Sequence, residues 1–176
     1  VEEIKKELPD NFYEMRKIGE NENYICKLIR EDSVVEFISY LSKKNIAFDE
    51  KIIPSIYETN SFLIKQQNAI ELIEYAAFFG SIQIFNYLRN KEVQLTPSLW
   101  LDAIHCNNAE IIQILEDNQI EPLGPDMKES YKECIIESIK CHHNEFVNHF
   151  FQNYVKKEDE KSSYIIHQIL KNYNFA

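Results

Sequence analysis

The chain has 176 residues, a mass of 20.9 kDa and a formal net charge of −10, from 19 Lys and Arg against 29 Asp and Glu. This acidity argues against the basic face that a nucleic acid or an anionic membrane surface requires, so we expect neither partner. Hydrophobic residues at 44% and charged residues at 27% are typical of a folded chain and exclude bulk disorder. The three glycines are scattered along the chain, which excludes a glycine-rich phosphate-binding loop.

The first part of the chain, residues 1–27, is predicted to cap the fold, because Phe12, Tyr13 and the segment 24–29 offer apolar faces. A helical pair is predicted at 28–46. The segment 47–68 then interrupts the pattern with Pro54 and a cluster of turn-forming residues. We therefore expect 47–68 to be an inserted loop that contains a short helix.

Internal repeats dominate the remainder of the chain. Segments that begin at Ala76, Ala103 and Ser138 align without gaps, at offsets of 103 − 76 = 27 and 138 − 103 = 35 residues. A weaker copy begins at Ile29, 76 − 29 = 47 residues upstream. A period of about 30 residues indicates stacked helical hairpins. The sequence predicts them at 28–46, 69–93, 97–120 and 128–155.

The pattern within each repeat is helical. In the second half of each repeat, as at 82–88 and 109–115, polar residues recur every third position beside a wide apolar face. The turn within each repeat holds Gly80, Asn107-Asn108 or His142-His143, residue types that tolerate a left-handed helix end. Thr96-Pro97 is a helix start, and 158–172 is predicted to be a C-terminal capping helix.

These segments resemble ankyrin repeats. The segment 80–88 is similar to the second helix of an ankyrin repeat, and Thr96-Pro97 followed by Ala103 resembles the opening of a first helix. More closely, the chain resembles an uncharacterised ankyrin-like domain, abundant in protein families of anaerobic protists such as trichomonads, that usually precedes ordinary ankyrin repeats. The segments that carry this resemblance are 29–33, 54–62, 74–80 and 138–144. The resemblance implies an all-α, ankyrin-like solenoid of about four hairpins with capping helices at both ends, and no catalytic motif.

Several residues are of types that bind zinc or act as nucleophiles. Cys134 and Cys141 are seven residues apart and share a helical face, while the close C-x-x-C pairs of structural zinc sites are absent. Cys106 follows His105 directly, but neighbours on a helix point about 100° apart and do not form a catalytic pair. We therefore expect no cofactor, no metal and no enzymatic activity. The cluster that leaves a zinc-dependent site open as an alternative comprises Cys134, Cys141, His142, His143 and His149.

A partner-binding surface is predicted where the first helices end. Phe78 aligns with His105, Lys140 and, in the weaker copy, Arg30-Glu31, so it is an aromatic residue in a mostly polar column. Such a residue is either a recognition anchor or a side chain packed under the loop 47–68, and the sequence does not decide between the two. Trp100 aligns with Ile73, which favours a core position over a binding anchor. The loop residues Tyr57 and Phe62 are expected along one edge of the surface.

The function that these features favour is a non-enzymatic protein-interaction module that uses the concave face of the helical stack. The charge of −10 predicts another protein with a basic surface as the partner. A structural domain that caps a longer ankyrin array is the alternative. Because no apolar run approaches about 18 residues and the four cysteines form no disulfide framework, we expect a cytoplasmic protein without a membrane span.

Overall fold

The computed structural model describes residues 8–65, 69–124, 127–154, 167 and 169–172. These residues are mainly helical, which confirms the all-α prediction, and one short antiparallel pair of strands accompanies the helices. The strands are β1 (Lys51–Ile52) and β2 (Ile70–Glu71). The helices are α1 (Phe12–Ile18), α2 (Tyr24–Arg30), α3 (Val34–Lys44), α4 (Ser61–Lys65), α5 (Leu72–Phe79), α6 (Ile82–Asn90), α7 (Leu99–His105), α8 (Ala109–Asp117), α9 (Met127–Lys140) and α10 (Asn144–Tyr154).

Eight of these helices form four pairs, each joined by a short turn: α2 with α3, α5 with α6, α7 with α8 and α9 with α10. The first helices pack in a row, since α2 contacts α5, α5 contacts α7 and α7 contacts α9. Among the second helices, α3 contacts α6, and His149 of α10 contacts Glu116 of α8. Each pair therefore contacts the pairs before and after it along the chain.

The turn between the two helices of a pair repeats in geometry as well as in sequence. Asp32, Gly80, Asn107 and His142 all have left-handed backbones, with φ of 48°, 68°, 54° and 60°. In each case the backbone N–H donates to the carbonyl oxygen three residues earlier and ends the first helix. The aligned repeats have an offset of 47 residues here, but the turn residue Asp32 lies 80 − 32 = 48 residues before Gly80. The sequence alignment of the first pair is therefore wrong by one residue at this turn.

Asp32 also joins the first pair to the second. Its carboxylate accepts hydrogen bonds from the backbone N–H groups of Gln83 and Ile84, at 3.1 and 3.0 Å, and so caps the start of α6. The hydroxyl of Ser81 donates to the carbonyl oxygen of Ile29 across the same boundary. Adjacent carboxylates such as Glu31-Asp32 are predicted from sequence to be a solvated face, and this is wrong for Asp32, because open amide groups of the neighbouring pair bind its side chain.

The core lies between the two rows of helices. The small residues Ala76, Ala103 and Ser138 are fully buried in the first helices, where the pairs approach closely. Trp100 is fully buried and donates from Nε1 to the carbonyl oxygen of Ile120 at 2.8 Å, which confirms the prediction that it belongs to the core. The second helices bury apolar residues at matching positions, among them Ile84, Ile111 and Phe146.

Several predicted boundaries shift. The first pair begins at Tyr24, inside the predicted cap 1–27, and α7 begins at Leu99 after a turn over Pro97 and Ser98. The predicted loop 47–68 contains β1 and α4. Most of the predicted C-terminal helix at 158–172 lies outside the described residues, but Ile169 packs against the core. Among the described residues, none of the helices has the length and apolarity needed to span a bilayer.

Candidate functional site

The most distinctive surface of the molecule lies where the first helices of three neighbouring pairs end. Phe78, His105 and Lys140 occupy equivalent positions at the ends of α5, α7 and α9, and we call this row the first-helix ridge. The ridge corresponds to the polar column in the aligned repeats. The helix α4, from the segment between the first two pairs, lies against it through Phe62.

Three rings pack together on the ridge. The ring of Phe62 stacks on that of Phe78, with centroids 5.5 Å apart and an interplanar angle of 14°. The imidazole of His105 lies 4.0 Å from Phe62 and 5.1 Å from Phe78, measured between ring centroids. Because these rings come from α4, α5 and α7, the contact ties the inserted segment to two helical pairs at once.

This packing decides the alternatives for the predicted anchors. Phe78 is 8% exposed, since Phe62 covers it, and the structure therefore favours packing under the segment 47–68. Tyr57 is 7% exposed and lies 5.9 Å from the ring of Phe12, between centroids, so it is also a packing residue here. Neither Phe78 nor Tyr57 is therefore an exposed anchor. Phe62 and His105 are half-buried, and Lys140 is exposed.

Beyond the rings, His105 joins a polar cluster with two residues of the last helical pair. Its Nε2 lies 3.0 Å from Oε1 of Glu137, and its Nδ1 lies 3.6 Å from Sγ of Cys141. The second carboxylate oxygen of Glu137 accepts a hydrogen bond of 2.7 Å from Nζ of Lys140. The side chains of His105 and Glu137 are 17% and 14% exposed, so water retains some access to the cluster.

The surroundings of the cluster lower the pKa of Glu137 and raise the pKa of Cys141. Burial by itself raises the pKa of Glu137, but hydrogen bonds from His105 and Lys140 outweigh it and lower that pKa to about 2. Burial raises the pKa of Cys141 to about 11, and the nearby carboxylate of Glu137 adds to that effect. At neutral pH the cluster therefore contains an ionised carboxylate and a protonated thiol.

The cysteine next to His105 in sequence plays no part in this cluster. Sγ of Cys106 donates to the carbonyl oxygen of Ala103 at 3.0 Å, and burial raises its pKa to about 11. His105 instead contacts Cys141, which is the equivalent of Cys106 one pair later, at 106 + 35 = 141. The sequence did not reveal this contact, because it joins residues 36 positions apart.

The Cys and His residues that the sequence groups together are dispersed. Cys134 is fully buried in α9, and His142 occupies the left-handed turn position. His149 lies on α10, where its Nε2 is 2.7 Å from Oε1 of Glu116. Within the described part of the chain, the one group of three or more metal-binding residue types is His105, Glu137 and Cys141, whose ligand atoms lie within 4.8 Å of one another.

Comparison of the chain with models of known protein families, with curated proteins and with solved structures finds no match. The function is therefore argued from the geometry of this site and from the arrangement of the helical pairs.

Proposed function

We propose that the chain is a non-enzymatic protein-binding module built as an ankyrin-like solenoid, and that it binds its partner along the first-helix ridge. Four helical pairs packed in a row, with the same left-handed turn in each, support the solenoid assignment. Such stacks present extended surfaces made of equivalent positions from successive repeats. On the ridge these positions are Phe78, His105 and Lys140.

The observation that carries the proposal is the docking of α4. A segment from outside the helical pairs places an aromatic side chain, Phe62, across the ends of α5 and α7. The ridge therefore already includes an aromatic side chain that is packed between two helical pairs. Because this packing holds Phe62 rigidly, little side-chain entropy is lost when a partner binds to it. Beside it, Ile64 on the same short helix remains 45% exposed.

The partner surface follows from what the ridge leaves accessible. Phe78 and Tyr57 are covered, so the contact residues are the exposed edge of Phe62, Ile64, His105 and Lys140. The cation of Lys140 is paired with Glu137, and therefore it does not make the ridge strongly basic. The overall charge of −10 favours a basic partner, whose binding weakens as the salt concentration rises.

A random peptide library displayed on phage tests the proposal without a known partner. A photo-reactive amino acid at position 64 or 140 should crosslink the selected peptides, and the same group at Gln113 on α8 serves as the control. Lys140 belongs to the ridge, and Ile64 is an exposed residue of α4, the helix that lies against the ridge through Phe62, whereas Gln113 is an exposed residue of a second helix. We expect peptides rich in Lys and Arg, crosslinking at 64 and 140 only, and affinity that falls at high salt.

The variant Lys140→Ala removes a like charge and frees the carboxylate of Glu137, so it should raise the affinity of those basic peptides by about fivefold, which corresponds to about 1 kcal/mol. Crosslinking at Gln113 as strong as on the ridge would show that the wrong face is assigned. A library that yields no binding peptide would favour the structural alternative, a domain that only caps a longer array.

A further inference from the structure

The cluster at the junction of α7 and α9 combines the three side chains whose ligand atoms zinc prefers in proteins. His105 ends α7, Glu137 lies on α9, and Cys141 follows α9 directly. Glu137 and Cys141 are four residues apart, a spacing that places both side chains on one face of a helix and its continuation. His105 approaches this face from the neighbouring pair, with Nε2 3.0 Å from the carboxylate of Glu137 and Nδ1 3.6 Å from the thiol of Cys141.

The distance between the thiol and the imidazole fits a tetrahedral metal ion. Zinc binds sulfur at about 2.3 Å and nitrogen at about 2.0–2.1 Å, which separates the two ligand atoms by about 3.6 Å in a tetrahedron. Sγ of Cys141 and Nδ1 of His105 are 3.6 Å apart. An ion bound at Nδ1 leaves Nε2 facing Glu137, so the carboxylate has to turn from Nε2 towards the ion. All three ligand atoms lie within 4.8 Å of one another, which keeps that movement short.

The surroundings hold these side chains in place and leave access for an ion. Phe62 and Phe78 pack against the imidazole of His105 and restrict its rotation. The competing cation is Lys140, whose side chain is 46% exposed. Its long side chain can turn into water when a metal ion takes its place.

We propose that His105, Glu137 and Cys141 form a zinc-binding site with three protein ligands and a fourth position open to water or to a ligand. Thiolate, imidazole and carboxylate together favour Zn²⁺ over Mg²⁺ and Ca²⁺, which prefer oxygen ligands alone. Binding transfers the thiol proton of Cys141 to the solvent and changes no oxidation state. The site differs from the Cys/His grouping visible in the sequence, and it does not depend on the proposed partner binding.

Cobalt provides the direct test, since Co²⁺ occupies zinc sites and reports its ligands by absorption. We expect metal-free protein to bind one Co²⁺ with a thiolate charge-transfer band, and Zn²⁺ to displace it. The variant Cys141→Ser should lose that band and bind about tenfold or more weakly, and Glu137→Gln should also weaken binding. The matched control is Cys106→Ser, the equivalent cysteine one pair earlier, which should leave both the band and the affinity unchanged.

Alkylation of the unmodified protein provides a test that needs no variant. Zinc should slow the reaction of iodoacetamide with Cys141, followed by peptide mass spectrometry, and leave the rate at Cys106 unchanged. Equal rates at Cys141 with and without zinc would overturn the proposal. So would a charge-transfer band that persists in Cys141→Ser, or an unchanged affinity in Glu137→Gln.

Discussion

Truncation of Phe78 tests whether the ridge is covered by α4. Phe78 is 8% exposed, and Phe62 stacks on it at 5.5 Å between ring centroids. Replacing a core Phe by Ala costs about 3–5 kcal/mol. Because Phe78 lies at a helix end under a half-buried ring, we expect Phe78→Ala to destabilise the fold by about 3 kcal/mol, at the lower end of that range. For a chain of 176 residues this lowers Tm by about 6–12 °C.

Urea denaturation followed by far-ultraviolet circular dichroism and by the fluorescence of Trp100 measures this change. Trp100 is the single tryptophan and is fully buried in α7, so its emission reports the third pair directly. The matched control is Ile64→Ala on the same short helix as Phe62, because Ile64 is 45% exposed and should cost less than about 0.5 kcal/mol.

A double-mutant cycle isolates the contact between the two rings. Phe62→Ala and Phe78→Ala should couple by about 0.5–1.5 kcal/mol, the usual value for an aromatic pair. A stability of Phe78→Ala within about 0.5 kcal/mol of the original, with no coupling to Phe62→Ala, would refute the packing of α4 on the ridge. Phe78 would then be an exposed recognition anchor, which is the other alternative that the sequence leaves open.

Three further perturbations address the junctions between pairs and the buried thiols. Ala103→Leu should overpack a fully buried helix contact and cost about 1–3 kcal/mol by urea denaturation, whereas Ala109→Leu at an exposed position should be nearly neutral. Asp32→Gly keeps the left-handed turn but removes the cap of α6, so we expect a loss of about 1 kcal/mol and a smaller loss for Asp32→Asn; a more stable Gly variant would contradict the cap. Burial raises the pKa of Cys26 from 9.0 to about 12, so the stability that its neutral thiol contributes is present below pH 9.0 and is lost as the pH rises towards 12. Between pH 8 and pH 10 the free energy of unfolding should therefore fall by about 1 kcal/mol less in Cys26→Ala than in the original protein. An equal fall in both proteins would contradict the raised pKa of Cys26.

The repeat pattern was sufficient to predict the helices and much of the core. Polar residues at every third position identify the buried face of a helix, and that periodicity places Ile84, Ile111 and Phe146 inside. Residues that tolerate a left-handed backbone identify the turns at Gly80, Asn107 and His142. The alignment of the first pair is wrong by one residue, because the left-handed position of its turn is Asp32. Aspartate is also common on solvated surfaces, and its presence therefore does not identify a turn.

The candidate site was only partly accessible from the sequence. Equivalent positions in a repeat lie next to one another, which placed Phe78, His105 and Lys140 in one row. The covering of Phe78 by Phe62, however, depends on the path of the segment 47–68, which has no counterpart in the other repeats. The contacts of His105 with Glu137 and Cys141 likewise depend on how far α7 and α9 are rotated against each other.

Local periodicity and turn chemistry act between residues a few positions apart, so the sequence by itself determined the helical class, the paired helices and the buried small residues. Contacts between pairs join residues far apart in sequence, 24 positions for Ser98 with Glu74 and 36 for His105 with Cys141. Their geometry follows from side-chain packing in three dimensions, and no spacing along the chain encodes it. Only the tertiary structure therefore decided that the ridge is covered at Phe78 and that a thiol, an imidazole and a carboxylate meet beside it.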